Sequence, residues 1–282
     1  MSRVPIVTII IPVLNPEDDF FDVTMPMLKS QSVVCRVLVI SSSGELPCGE
    51  YESVVIDGAK FNHANTRNIA LLHESDFYLF MTQDATACDE RLIEKLLEPF
   101  SDESVVVSYA RQIPYENADI IERFARGKNY PSESIVKSKE DIGTLGIKTF
   151  FSSDSCAMYR GDYFKKVGGF KRDLNVSEDM EFAARAIFDG KKIAYCAEAR
   201  VFHSHVYEIS GLYKRYVAIG RFFKENGWIQ ESLHGSDSTE KSGIKQVFEE
   251  LAFVVKHEPF MVIKSFVYSL VKYVAYNKGK RF

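Results

Sequence analysis

Phe77-Tyr78-Leu79-Phe80-Met81-Thr82-Gln83-Asp84-Ala85-Thr86 is the stretch on which the fold of this chain turns. Its first five residues are apolar, rich in aromatics and too few for a helix, which predicts a strand buried on both faces. Such a strand belongs in the interior of a sheet. The abrupt change to Thr82, Gln83 and Asp84 then falls at the strand's carboxyl end, where open α/β sheets place their ligands. Asp84 is the first candidate for chemistry. Its competing role is structural: ending the strand and capping a helix that opens near Asp89.

The flanking sequence repeats the pattern. Residues 7–11 are a β-branched run halted by Pro12-Val13-Leu14-Asn15-Pro16. The first strand therefore ends in a stiff loop and not in the Gly-x-Gly-x-x-Gly turn of a dinucleotide-binding unit. Residues 18–32 predict a helix, 34–40 a second buried strand closing on Ser41-Ser42-Ser43-Gly44, and 53–57 a third strand. A helix follows with Asn65 or Thr66 as its N-cap. Beyond the central strand come a helix over 92–100 and a strand over 105–109. This alternation predicts a mostly parallel sheet with helices on both faces.

Residues 114–148 are polar and predict a short helix near 119–126 and a mobile loop over 132–147, a length that commonly marks a lid. Residues 150–159 predict a strand carrying Ser153-Asp154-Ser155, and 161–170 a short helix ended by Gly168-Gly169. Asn175-Val176-Ser177-Glu178-Asp179 reads as a cap and acidic first turn, which the helix dipole favours. Residues 193–205 predict a strand on which His203 and His205, two apart, share a face. A basic, aromatic helix is expected over 211–227 and a Ser/Gly/charge linker over 232–242.

In the last segment Ile263, Phe266, Val267, Leu270, Val271 and Val274 fall on one helical stripe, accompanied by Lys264, Lys272, Lys278, Lys280 and Arg281. That stripe packs on the domain or on a second copy in a homo-oligomer, or else rests on the inner leaflet as a peripheral membrane contact. The expected division is a domain of residues 1–227 and a linker with an amphipathic helical extension over 228–282.

Composition narrows the function classes. The 282 residues, 46% hydrophobic and 26% charged, suffice for a substantial core. A net charge of −4 gives no reason to expect nucleic acid as partner. Five cysteines without a paired metal-ligand spacing are expected as reduced core thiols. The opening Met1-Ser2-Arg3-Val4-Pro5 lacks the marks of a signal peptide. No run reaches the roughly 20 apolar residues of a membrane span, so a cytoplasmic location is expected.

Asp84, the Glu178-Asp179 pair, His203 with His205, and Arg67 all fall at ends of elements on what would be one edge of the sheet. A site that needs a divalent metal, an anion clamp and a carboxylate base uses these residue types. Singly, each has a plain structural role: the acids stabilise a helix start, and strand histidines are commonly core or surface residues. Arg67, near an expected helix start, opposes the dipole there and calls for an anion.

The pieces Ile11-Pro12-Val13-Leu14-Asn15, Phe61-Asn62-His63 with Thr66-Arg67-Asn68, and Thr82-Gln83-Asp84-Ala85 form a recognisable set. It continues with Ser153 to Arg160, Gly168-Gly169-Phe170, Ser177-Glu178-Asp179, His203-Ser204-His205, Arg215-Tyr216 and Gly220. Over roughly residues 6–225 the chain resembles the family-2 glycosyltransferases of the GT-A fold, and within them the bacterial rhamnosyltransferases. The resemblance implies an α/β fold, a Rossmann-like nucleotide-sugar-binding mixed sheet flanked by helices, with a helical C-terminal extension. It implies an inverting glycosyltransferase moving L-rhamnose from dTDP-L-rhamnose to a saccharide or lipid-linked acceptor in cell-surface polysaccharide synthesis.

By the same resemblance Asp179 is the catalytic base. Pro12, Asn15, Ser41, Arg67, Gln83 and Asp84 bind the nucleotide-sugar, and Asp154 and Glu178 the acceptor. Mg2+ or Mn2+ sits on Asp84 with His203 and His205. Two departures stand out: the family's Asp-x-Asp metal motif appears as Thr82-Gln83-Asp84, and its acidic loop after the second strand as Ser41-Ser42-Ser43. A UDP-hexose donor and a non-catalytic scaffold subunit are the alternatives.

Overall fold

The computed structural model describes residues 4–205, 207–233 and 239–281. Val7–Val13 (β1), Cys35–Ser41 (β2), Glu52–Val55 (β3) and Phe77–Met81 (β4) lie side by side in the order β3-β2-β1-β4, every pair parallel. The β-branched and aromatic residues of β1, β2 and β4 suit a sheet covered on both faces. Along β4, Leu79 and Met81 join Ile9, Ile11 and Val39 in one core, closed by Phe20, Leu28, Leu92 and Leu96. Tyr78 and Phe80 point the other way, into an aromatic cluster with Tyr159, Phe164, Phe170 and Phe182. The strand is interior, as its composition requires.

Past β4 the sheet changes character. Thr86–Ala87 (β5), Val105–Ile113 (β6), Ile135–Lys137 (β7), Cys156–Arg160 (β8) and Lys192–Phe202 (β9) continue it as β4-β8-β6-β9-β5, with β7 paired to β9. β8 runs antiparallel to β4 and β6, and β9 antiparallel to β5 and β7. The expected mostly parallel sheet is thus only half the sheet, and the whole is mixed. Alternation of strand and helix reports that crossovers occur. It does not report beside which strand each one returns.

Two compact units emerge, the first within Met1–Gln112, Ser132–Lys139 and Phe150–His203, the second within Ile113–Pro131, Glu140–Thr149 and Ser204–Phe282. All nine described strands belong to the first, save the last residue of β6.

The cap expected at Asn65 or Thr66 is Asn62, whose side chain accepts from the Asn65 amide at 3.0 Å. His63–Arg67 (α1) therefore carries Arg67 in its last turn, where the dipole favours a cation. The loop expected over 132–147 instead contains β7, pinned to β9 by the register Ile135↔Tyr195 to Lys137↔Ile193, followed by short helical turns. Ser153, Asp154 and Ser155 precede β8, with Asp154 and Ser155 in a turn, and their side chains bond to one another and to Gln112 of β6 and Tyr159 of β8 in place of a ladder. β9 stops at Phe202, so strand alternation does not apply to His203 and His205. Of the expected linker, residues 234–238 lie outside the described residues, and a helix has begun by Thr239.

The second unit is helical. Ile120–Asn129 (α2), Ile209–Glu225 (α3), Thr239–His257 (α4) and Val262–Arg281 (α5) are its main elements. α3 and α5 cross backbone to backbone: a Cβ at Gly220 would lie 2.1 Å from the Tyr276 carbonyl oxygen, and one at Gly279 2.1 Å from that of Val217. α5 buries Ser265, Ser269, Ala275 and Gly279 and exposes Ile263, Phe266, Leu270, Tyr273 and Val274.

Candidate active site

Because β1, β2 and β4 are parallel, their carboxyl ends share an edge. The neighbours of β1 diverge there, β2 to one side and β4 to the other, which is the switch point where such sheets form a crevice. The three following loops are stitched together. Gln83 donates to the Leu14 carbonyl at 3.2 Å and accepts from the Leu14 amide at 2.7 Å. The Asn15 amide donates to Ser43 Oγ at 2.9 Å, with Asn15 in the left-handed region at φ 43. Pro12 lies within β1 opposite Ile40, one residue before its end, and buried Ser41 donates to the Gly44 carbonyl at 2.6 Å.

A second group is assembled by the aromatic cluster. The helix Glu178–Phe188, which lies between α2 and α3 in the chain, is anchored through Phe182, whose ring meets Tyr159 edge-on at 5.0 Å. The residue before this helix, Ser177, adopts φ 61 and ψ 25. A non-glycine residue there costs about 1–2 kcal/mol, so packing holds the helix start against its local preference. Tyr159 Oη donates to Asp154 Oδ1 at 2.6 Å.

Into this pocket of acids comes Arg67. Its Nη1 donates to Glu178 Oε1 at 2.8 Å, and its Nε lies 3.5 Å from Asp154 Oδ2. Arg67 and Asp154 are each 3% exposed and Glu178 5%. Burial would lower the Arg67 pKa, but Glu178 and Asp154 hold it above its usual range. Burial also pushes the Asp154 carboxyl well up, opposed by the Arg67 charge, and raises the Tyr159 phenol beside it.

Asp179 stands next to this cluster and, among the described residues, forms no ion pair of its own. It accepts from the Met180 amide at 2.7 Å and the Asp154 amide at 3.3 Å. Burial, and then the negative charge of Glu178, push its carboxyl up to about 6. A carboxylate so raised is still ionised at neutral pH yet is a stronger base than an ordinary aspartate.

The third group lies past β4. Asp84 Oδ1 is 3.4 Å from His203 Nε2, with the Asp84 side chain 41% exposed and that of His203 3%. Two metal–ligand bonds of about 2.1 Å, meeting at roughly 90–110°, put their donor atoms about 3.0–3.4 Å apart. The pair therefore fits a divalent cation with mixed oxygen and nitrogen donors, open toward solvent on the Asp84 side. His205, two residues on, belongs to the second unit, where its amide donates to Glu122 Oε1 at 3.1 Å and its ring meets Tyr207 at 5.2 Å.

Of the residues expected from sequence, Arg67, Asp154, Glu178 and Asp179 come together in one cluster and Asp84 and His203 in another. The anion that Arg67 calls for is supplied by the chain's own carboxylates. Asn68 clamps the Phe170 amide and carbonyl at 2.9 and 2.8 Å. Gly169 must be glycine there, since φ is +75 and a Cβ would meet Asn68 Oδ1 at 2.4 Å.

Sequence reasoning missed Tyr159, which holds Asp154, and Gln112, which joins the two clusters. Gln112 Oε1 is 2.8 Å from His203 Nδ1, and Gln112 Nε2 donates to Ser153 Oγ at 2.8 Å. A strand read as ending at Tyr109 left Gln112 in a loop. Its polarity inside the continuing run to Ile113 was the available signal.

No family model matches the chain. Among curated proteins, it is 41% identical to the O-antigen chain rhamnosyltransferase WbaN of Salmonella anatum over 229 residues, 80% of this chain and 72% of that protein. It is 36% identical to the O-antigen chain rhamnosyltransferase RfbN of Salmonella typhimurium over 284 residues, 97% of this chain and 89% of that one. Among solved structures, the mannosyltransferase PcManGT from Pyrobaculum calidifontis, in complex with GDP-Man and Mn2+, superposes with a TM-score of 0.64 at 11% identity. That match covers 98% of this chain and 88% of that chain. TarS residues 1–349 from S. aureus superpose at 0.57 and 13% identity, covering 98% and 90%. These structural likenesses show the fold, which is of the GT-A glycosyltransferase kind. The chain is a glycosyltransferase and belongs to the family of the O-antigen chain rhamnosyltransferases.

Proposed function

We propose that this enzyme transfers L-rhamnose from dTDP-L-rhamnose to a saccharide or lipid-linked acceptor of a cell-surface polysaccharide, with inversion, using Asp179 as base. The observation that carries this is the Asp179 carboxylate, held by the Met180 and Asp154 amides, raised to about 6 and, among the described residues, ion-paired with no cation. As the acceptor oxygen attacks the anomeric carbon, its proton passes to Asp179 while the nucleoside diphosphate leaves with the bonding electrons. One displacement on one base inverts the centre.

Arg67, Glu178 and Asp154 support this base from behind. Glu178 raises the basicity of Asp179, and Arg67 keeps the three acids from expelling one another. The loops of Pro12, Asn15, Ser41 and Gln83 are proposed to border the nucleoside at the switch-point crevice. Asp84 and His203 are proposed to hold Mg2+ or Mn2+, which when bound would neutralise charge on the departing diphosphate.

Asp179→Asn is expected to lower the transfer rate roughly 10²–10⁴-fold; undiminished transfer rejects the base. A thermal-shift screen of dTDP, UDP and GDP with Mn2+ tests the donor: the largest stabilisation is expected from dTDP, and a preference for UDP or GDP overturns the rhamnosyl reading.

For the acceptor's side of the reaction we propose that α5 rests on an anionic lipid surface, placing the enzyme at the inner face of the cell membrane. Among the described residues no helix is long and apolar enough to cross a membrane. α5 turns small residues inward and large apolar ones outward, the reverse of a helix that meets water. Exposed Lys278 and Arg281 on the same helix match an anionic headgroup layer. Flotation with phosphatidylglycerol vesicles is expected for the wild type and lost in the Phe266→Glu, Leu270→Glu double variant. Equal flotation of both, or a dimer that the double variant dissolves, overturns it.

A further inference from the structure

We infer that Gln112 is a positioning residue that sets the proton of His203 and ties this ligand to the loop holding the base; the inference rests on the metal role proposed for Asp84 and His203. Gln112 lies one residue short of the end of β6, in the strand next to β9, and His203 follows β9 directly. Both side chains are buried, so the bonds they share are shielded from water.

The direction of each bond follows from what each atom can do. The Gln112 carbonyl oxygen accepts only, and it faces His203 Nδ1 at 2.8 Å. His203 Nδ1 must therefore carry the hydrogen. In a neutral imidazole the lone pair is then on Nε2, the atom 3.4 Å from Asp84 Oδ1. Two electron-rich atoms facing each other at that separation are arranged for a cation between them. The other end of Gln112 is fixed as well: its Nε2 donates to Ser153 Oγ at 2.8 Å, while Ser153 Oγ donates onward to Ser155 Oγ at 3.4 Å.

Ser153 begins the turn whose next residue, Asp154, gives its backbone amide to Asp179 at 3.3 Å. One buried amide thus spans the two halves of the site. Partners that hold the far nitrogen of a metal-bound histidine raise metal affinity about 10–100-fold.

The test reads Mn2+ affinity directly, by electron paramagnetic resonance of the free ion, without substrate. Gln112→Met, close in shape but unable to accept from Nδ1, is expected to bind Mn2+ about 10–100-fold more weakly. Gln112→Glu keeps an acceptor at Nδ1 and is expected to stay near wild type. Equal affinity in wild type and Gln112→Met overturns the inference alone. A wild type that binds no Mn2+ overturns the metal reading and this inference with it. Independently of any variant, 15N NMR of the wild-type histidines is expected to show His203 protonated on Nδ1. The opposite tautomer overturns the assignment.

Discussion

Two clusters of charge share the first unit and are built on opposite plans. Arg67, Asp154, Glu178 and Tyr159 are all buried, and the chain itself partners them: Glu178 and Asp154 on the guanidinium, Tyr159 on Asp154. At Asp84 and His203 one member is sealed and fixed by Gln112 while the other opens to solvent. The contrast shows that proximity of acids and a cation is not by itself a binding site. A cluster that satisfies its own charges shapes the behaviour of its neighbour, here the basicity of Asp179. A cluster that leaves a donor face open can receive something from outside.

Removing Arg67 should break this contrast most strongly. Arg67→Met strands buried acids without their counter-ion, and a loss of about 3–5 kcal/mol in urea unfolding is expected. A loss below about 1 kcal/mol would mean that the cluster is far wetter than its burial indicates.

A smaller effect concerns Asp179 and has opposite signs for stability and for rate. Its carboxyl is raised from 3.8 to about 6, so the folded protein prefers the protonated form. That contribution to stability is complete below about pH 4 and is lost as pH rises through about 6. Asp179→Asn, uncharged throughout, should melt about 2–4 °C above wild type at pH 7.5 and lose the advantage near pH 4. Transfer by the wild type runs the other way, since the base must be ionised, and should decline as pH falls through about 6. Parallel trends in the two measurements would refute the assignment.

The smallest shift is expected at the open cluster. Asp84→Asn should change stability by no more than about 0.5 kcal/mol, because the side chain is solvent-exposed. Its effect belongs instead in Mn2+ affinity. A stability loss as large as that of Arg67→Met would make the two clusters alike and remove the distinction.

Much of this was legible before any coordinates. The apolar runs of β1, β2 and β4 announce strands covered on both faces, and the polar residues that end them mark the edge where a ligand sits. The motifs quoted from Ile11 to His205 announce the family. Arg67 was legible as a residue in need of an anion, but for the wrong reason: the cap is Asn62, so the helix dipole does not oppose it. The same limits hid Gln112, since a strand's exact end depends on pairing across the sheet.

What the sequence by itself determined is the alternation of buried strands and helices, the loops at their carboxyl ends and the kinds of side chain available there, because burial and local periodicity are written residue by residue. Only the tertiary structure decided which strands run antiparallel and which acids neutralise Arg67. It also decided that, among the described residues, Asp179 is held by backbone amides and not by a cation, for these depend on contacts between residues as far apart as Arg67 and Glu178, separated by 111 positions. Electrostatic environment is a property of that packing, so no local pattern can carry it.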